Sequence, residues 1–269
     1  MKPLQKYISE TVQLKSQAEV SIIIPAYNEE KRIVPVLEEI KVLIADRNLN
    51  WEVIVAVDGN DKTLDIVNLF EKNYHVIKAN HSSKREGMGG AIKRGIFSSK
   101  GNLIILMDAD GSTSLKDLID SISRLETNQY DIINFDRYNL KGNFIPLRRR
   151  IVSRVFNIIL RLIFRVDVND TQCGYKIIRR SAIIPFLINI KVSNAFFLSA
   201  LFIYSKKAGL KTIEIPIKYK HSYGSKFNVL MTSLSYIISI TAFWLRGSKY
   251  FNIIPNSVKD LYYRKLRFL

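Results

Sequence analysis

Cysteine, histidine and, beyond residue 140, acidic side chains are scarce in this 269-residue chain. Its one cysteine, Cys173, excludes an intramolecular disulfide and fits a reducing compartment. The first 19 residues are polar and lack the apolar core of a secretory signal, so none is expected there. No internal repeat or low-complexity tract occurs. The scarcity of acids is one-sided. Residues 1–140 carry 18 Lys/Arg and 20 Asp/Glu, a net of −2; residues 141–269 carry 23 and 4, a net of +19. A near-neutral half is followed by a strongly basic one. A basic half calls for an anionic partner: nucleic acid, anionic lipid headgroups or a phosphorylated substrate.

Hydrophobic residues make up 47% of the chain, enough to core one large domain or two small ones. The first half alternates short apolar runs with helical patterns. Strands are expected at residues 20–24, 51–57, 75–78, 103–107 and 131–135. Helices are expected between them: one after Asn28-Glu29-Glu30 with Ile33, Val36, Leu37, Ile40 and Leu43 on its apolar face, then 62–72, 89–98 and 115–126. Strand–helix repetition of this kind predicts a doubly wound, mostly parallel α/β sheet.

Chemistry gathers where the strands run out. Leu103-Ile104-Ile105-Leu106 leads into Met107-Asp108-Ala109-Asp110-Gly111-Ser112, two carboxylates one residue apart at the end of a buried strand. In an open α/β sheet that edge binds ligands. Two such acids can share one hard divalent cation, and the cation can hold a diphosphate. A turn with two solvated Asp fits the same residues. Upstream, Pro25-Ala26-Tyr27-Asn28-Glu29 ends the first strand with an aromatic face for a base and two hydrogen-bonding side chains. Asp58 ends the second strand, where an acid can grip a base or a ribose hydroxyl.

The basic half opens on Arg148-Arg149-Arg150 and an apolar stretch, 151–164. Arg150, Arg154, Asn157, Arg161 and Arg165 fall on one helical face, which suits a membrane-surface helix or a core-packed helix with a solvated face. Residues 227–245 carry no charge, and Asn228, Thr232, Ser235 and Ser239 share a face; spanning, interfacial and buried helices all fit, the interfacial one best. Lys218 and Lys220 alternate on one face of an expected strand, 213–221.

The motifs 25–29, 58–63, Gly87-Met88-Gly89-Gly90-Ala91 through Gly95, and 107–110 stand in the order and spacing of family 2 glycosyltransferases, which the chain resembles. Asp170-Thr171-Gln172-Cys173-Gly174-Tyr175-Lys176 and Gly224-Ser225-Lys226 resemble the dolichyl-phosphate sugar synthases, the glucosyl branch before the mannosyl one. The resemblance implies a GT-A fold over residues 19–226, after an N-terminal extension (1–18) and before a membrane-associated helical segment (227–269). It implies inverting transfer of one hexose from a nucleotide sugar, UDP-glucose or else GDP-mannose, to dolichyl or polyprenyl phosphate, with Mg2+ or Mn2+, at the cytoplasmic membrane face. Pro25, Tyr27, Glu29, Asp58, Arg85 and Asp108 would bind the nucleotide sugar, and Asp108 and Asp110 the metal. Arg148, Arg150, Arg154, Ser225 and Lys226 would take the acceptor phosphate, residues 170–176 would line its side, and Asp110, Arg150 and Lys226 would act on the reacting groups.

Three departures from the family pattern stand out. A paired Asp after the second strand is Val57-Asp58 here, and Gly-Lys-Gly is Gly87-Met88-Gly89, which leaves a basic donor contact to Lys84 or Arg85. Acids carried by relatives near residues 196–200 are absent from Phe196-Phe197-Leu198-Ser199-Ala200. A missing base is tolerable for one acceptor class. A sugar hydroxyl needs deprotonation to attack, whereas a phosphate monoester is already anionic near pH 7. Such an acceptor needs positioning and charge neutralisation, for which the Arg148–Arg150 run, Arg154, Lys218, Lys220 and Lys226 are candidates. His221 is a weaker candidate for a third metal ligand, and Cys173 reads as packing. A nucleic-acid partner fits the charge but not the interleaving of basic residues with aliphatics instead of base-stacking aromatics.

Overall fold

The computed structural model describes residues 19–126, 129–220 and 229–246. Strands β1 (Val20–Tyr27), β2 (Trp51–Asp58), β3 (Ile77–His81) and β4 (Leu103–Leu106) run parallel, joined by helices α1 (Ile33–Asp46), α2 (Thr63–Asn73) and α3 (Met88–Ser98). Two short helices follow, α4 (Leu115–Ile119) and α5 (Ser123–Glu126), then β5 (Ile132–Asp136) and the long α6 (Leu147–Phe164). The remainder is β6 (Lys176–Arg179), α7 (Arg180–Leu187), α8 (Phe197–Lys207), β7 (Thr212–Pro216) and α9 (Val229–Arg246). The seven strands stand in the order β3-β2-β1-β4-β6-β5-β7, and only β6 is antiparallel to its neighbours. The sheet is the doubly wound, mostly parallel one expected.

Strand order reverses between β1 and β4: the chain steps outward from β1 to β2 and β3, then returns to β4 on the other side. A crevice opens at such a switch point, outside the carboxyl ends of the strands. β1 and β4 deliver Tyr27 and Asp108 there, and β2 delivers Asp58. Antiparallel β6 starts at that edge, since Lys176 pairs with Leu106, so the loop 170–175 lies beside Asp108.

Fully apolar strands such as Ile22-Ile23-Ile24 and Val53-Ile54-Val55 are buried on both sheet faces. One layer gathers α1, α2 and α4; the other gathers α3, α6, α7, α8 and α9. The glycines of α3 serve close approach: a Cβ on Gly89 would meet Phe197 Cβ at 2.5 Å, and one on Gly95 would meet Ile23 Cγ2 at 2.5 Å.

Several boundaries differ from expectation. β1 runs on through Pro25, which is possible because β4 pairs only as far as Ile23, so no ladder bond is lost on that side. β3 starts at Ile77 rather than 75, β7 covers Thr212–Pro216, and the helix expected over 115–126 is two short ones broken by 3₁₀-type bonds at Ser121 and Ile122. The largest difference is α6. Its inward face is Ser153, Phe156, Asn157 and Leu160, so Asn157 leaves the arginine stripe and turns inward. Leu147, Ile151, Val155, Ile158 and Leu162, spaced four, four, three and four, form an outward ridge, each more than half exposed. Exposed Arg148, Arg154, Arg161 and Arg165 flank it. α9 packs on α6 and α8 through Tyr236, Ile240 and Phe243, with Phe156–Tyr236 ring centroids 4.9 Å apart. Ser239 of its polar stripe is buried against Asn194 (3.0 Å). Among the described residues, no helix is long and apolar enough to cross a membrane.

Candidate active site

The first wall of the crevice is the β1–α1 turn. Glu29 N–H donates to Thr63 Oγ1 (2.8 Å) and Glu30 N–H to Asp61 Oδ2 (3.1 Å), so the turn is tied to the start of α2. Thr63 thus does more than begin a helix. Arg32 forks over the Glu29 carboxylate through Nε and Nη2 (2.7 and 2.6 Å). Tyr27 is exposed at the rim, and the Arg85 guanidinium lies 4.3 Å from its ring centroid.

Asp58 is buried, and both its oxygens have partners. Oδ1 accepts from Arg94 Nη2 (2.6 Å) and Oδ2 from Glu86 N–H (2.9 Å). Arg94 also reaches Glu86 Oε2 (2.9 Å) and Asn80, so one guanidinium binds the ends of β2 and β3 to the loop that carries Arg85. Lys93, the neighbour of Arg94, points elsewhere, to the Ile190 carbonyl (3.0 Å), so sequence alone does not tell which of the two cations serves Asp58.

The second wall is the β4 edge. Asp108 is packed among buried groups. Desolvation, reinforced by the charge of Asp110, pushes its carboxyl up to about 6, against the opposing pull of Arg137, Lys176 and Arg149. Asp110 accepts from Ser112 N–H (3.0 Å), and Ser112 Oγ lies 3.0 Å from Tyr175 Oη. Gly174 makes room for the first acid: a Cβ there would sit 2.1 Å from Asp108 Oδ1 and 2.3 Å from Oδ2. Two hard carboxylate donors and a carboxylate-shaped recess suit Mg2+ or Mn2+ that takes its other ligands from a diphosphate. Among the described residues, no group of three or more His, Cys, Asp or Glu could hold a metal alone. Gly174→Ala is expected to displace the Asp108 carboxylate and weaken nucleotide-sugar binding at least about tenfold with little loss of melting temperature. Titration calorimetry with the nucleotide and Mn2+ measures it; unchanged affinity would contradict it.

The third wall is the loop 170–176. Arg137 and Asp170, both buried, pair bidentately (2.7 and 2.8 Å). Glu214 accepts from Asp170 N–H (3.2 Å) and Asn134 Nδ2 (2.9 Å). Thr171 Oγ1 donates to Asn157 Oδ1 (2.7 Å) and lies 2.8 Å from Ser199 Oγ, linking the loop to α6 and α8. Lys176 is buried, with Nζ on the carbonyls of Thr171 (3.3 Å) and Cys173; burial pulls its pKa down to about 8. Cys173 is buried and its thiol is pushed up to about 12, as packing and not nucleophilic chemistry requires. Ser199, in the segment 196–200 that carries no acid, serves the loop through Thr171.

Of the α6 arginines, Arg149 is the one whose charge acts on Asp108, Tyr138 and Tyr236. Arg150 is half-buried, its Nε sequestered without a hydrogen bond, while Arg148 and Arg154 are exposed. Lys218 and Lys220 are exposed and alternate with buried Ile217 and Tyr219, just past β7. His221, Ser225 and Lys226 lie outside the described residues. The structure thus links Tyr27 to Arg85, and Glu29 through Arg32 to Asp110 beside Asp108, while Pro25 is a residue of β1 paired with Ala56. Arg32, Arg137 and Glu214, outside the motifs quoted above, join them, as do Thr63 and Arg94 from within 58–63 and 87–95.

The family model for Glycosyl transferase family 2 matches residues 21–186. The chain belongs to that family. A dolichyl-phosphate beta-glucosyltransferase of Trichomonas vaginalis is 30% identical over 228 residues, 80% of this chain and 70% of its own length. The Homo sapiens dolichyl-phosphate beta-glucosyltransferase is 30% identical over 224 residues, 77% and 69% of the two chains. Glucosyl-3-phosphoglycerate synthase of Mycobacterium tuberculosis, solved with phosphoglyceric acid, superimposes with a TM-score of 0.63 at 16% identity, covering 89% of this chain and 83% of that one. Solved with Mn2+, UDP and glucosyl-3-phosphoglycerate, it gives 0.60 at 16% identity, covering 86% and 83%. At such identity the likeness is one of fold. This family 2 glycosyltransferase has the GT-A architecture.

Proposed function

We propose that the enzyme transfers one glucose from UDP-glucose to a dolichyl or polyprenyl phosphate, with inversion, on the cytoplasmic face of a membrane. The observation that carries this reading is the acid pair at the carboxyl edge of β4, with Asp108 seated against Gly174 of the loop 170–175. The names of the relatives support the acceptor and the sugar. The Mn2+ and UDP of the structural neighbour support the donor and the metal.

The residues divide the work as follows. Tyr27, with Arg85 beside it, offers the aromatic face for a base; Asp58, held by Arg94, fixes the loop that carries Arg85. Asp108 and Asp110 would hold Mg2+ or Mn2+, which when bound supplies charge neutralisation at the leaving diphosphate. The acceptor phosphate, already anionic, attacks the anomeric carbon directly; the new C–O bond forms as the bond to the nucleotide diphosphate breaks, and one displacement inverts the centre. No base is needed, in keeping with the absence of an acid from Phe196-Phe197-Leu198-Ser199-Ala200. Arg148, Arg149, Arg150 and Arg154, with Ser225 and Lys226, steer the acceptor phosphate and offset its repulsion from the donor.

The ridge on α6 supports the membrane part. Apolar side chains flanked by arginines seat in the boundary of an anionic bilayer, the apolar face inward and the guanidinium groups on headgroups. The double variant Ile151→Asp/Val155→Asp is expected to weaken binding to phosphatidylserine vesicles by about tenfold or more. Because both positions are exposed, folding and transfer to a short, water-soluble polyprenyl phosphate should be unchanged. Vesicle co-sedimentation decides it; undiminished binding would contradict the seat. The function itself is tested by a donor screen against a short polyprenyl phosphate, UDP- and GDP-sugars each with Mg2+ or Mn2+. Glucose from UDP-glucose is expected; mannose from GDP-mannose alone would replace the donor assignment.

A further inference from the structure

Arg32 lies between two residues of the crevice and is assigned to neither nucleotide, metal nor acceptor. Arg32 N–H and Ile33 N–H both donate to Glu29 O, and Glu29 N–H is fixed on Thr63, so the turn sets the direction of the guanidinium. With Nε and Nη2 on Glu29, Nη1 reaches to 3.9 Å from Asp110 Oδ2. The two side chains are 29% and 22% exposed, so this cation and this acid face each other in a crevice, partly shielded from water. Arg32 is partly exposed, and a cation held on Glu29 within 3.9 Å of the metal-side acid has an electrostatic consequence.

We infer that Arg32 is the resident counter-cation of Asp110 and makes metal binding conditional on the nucleotide. The inference rests on the reading of Asp108 and Asp110 as the metal pair. With no donor present, the guanidinium cancels part of the field that would attract a divalent ion, and free metal binds weakly. A nucleotide diphosphate brings its own negative oxygens. It gives the arginine a second anion to face, so the repulsion between Arg32 and the metal is offset and the two ligands bind with positive coupling.

Mn2+ binding to the full-length protein, followed by electron paramagnetic resonance of the free ion with and without saturating UDP, tests this without relying on activity. Arg32→Met is expected to bind Mn2+ alone on the order of tenfold more tightly than wild type and to show a smaller enhancement by UDP. Arg32→Lys keeps the charge and should stay near wild type. Removing Arg32 also breaks its ion pair with Glu29, so the comparison is repeated in a Glu29→Gln background, where Arg32→Met must still tighten Mn2+ binding. Unchanged or weaker Mn2+ binding by Arg32→Met overturns the inference, as does loss of the effect in the Glu29→Gln background. If wild type and Arg32→Met both fail to bind Mn2+ even with UDP, the metal reading falls and takes the inference with it. Tight wild-type binding that Arg32→Met leaves unaltered defeats the inference alone.

Discussion

Asp110→Ala is expected to lower sugar transfer on the order of 10³-fold, the scale of losing a positioned group that stabilises developing charge. The residue sits at the crevice rim with a partly exposed side chain that accepts a hydrogen bond from Ser112 N–H (3.0 Å). Losing that bond costs at most about 1 kcal/mol, so the melting temperature should hardly move. Vesicle binding, which the outward face of α6 governs in this account, should not move either. The combination matters more than the loss of activity. A fall in activity with a matching fall in stability would say only that the loop needs Asp110. Full transfer by Asp110→Ala in the presence of a chelator would remove the metal role assigned to it.

The second large effect concerns stability. Arg137→Met leaves Asp170, fully buried, without its ion-pair partner and its two shortest hydrogen bonds. Breaking one side of a buried ion pair costs about 3–5 kcal/mol, whereas replacing both sides by apolar groups of similar volume is often neutral. Urea unfolding should therefore show Arg137→Met destabilised by about that amount and Arg137→Met/Asp170→Leu recovering most of it. The Arg161–Asp167 pair, side chains 48% and 84% exposed, is the internal control. Arg161→Ala should change stability by less than about 1 kcal/mol. Equal effects at the two pairs would mean that Arg137 does not anchor the loop 170–176.

The parts of the fold that sequence revealed are those in which periodicity and burial agree. β2 is apolar throughout apart from Glu52 and Asp58, and both its ends are marked by polar residues, so strand and edge acid are visible together. The Asp108–Asp110 pair is legible for the same reason. The second half was harder because its structure is held by buried polar groups that mimic loop composition. β6 starts on Lys176, a lysine that is wholly buried, and a buried lysine reads as a surface residue. α6 has more apolar residues than one face can bury. The arginine stripe is real at Arg154, Arg161 and Arg165, yet Asn157, which shares its spacing, turns inward to take Thr171. The outward ridge was present in the spacing of Leu147, Ile151, Val155, Ile158 and Leu162. Its meaning depends on which face the sheet covers, and no single helix records that. Arg32, Arg94 and Arg137 carry the site's electrostatics from positions fixed by the packing of separate elements.

The most direct measurement is transfer of radiolabelled glucose from UDP-glucose to a short polyprenyl phosphate, run side by side with Mn2+, with excess chelator, and with a glycan hydroxyl acceptor in place of the lipid phosphate. The account predicts a glucosyl-phosphate lipid that forms with Mn2+, disappears with chelator and has no counterpart on the glycan. Undiminished product under chelation, or glucose delivered to the glycan and not to the phosphate, would contradict it.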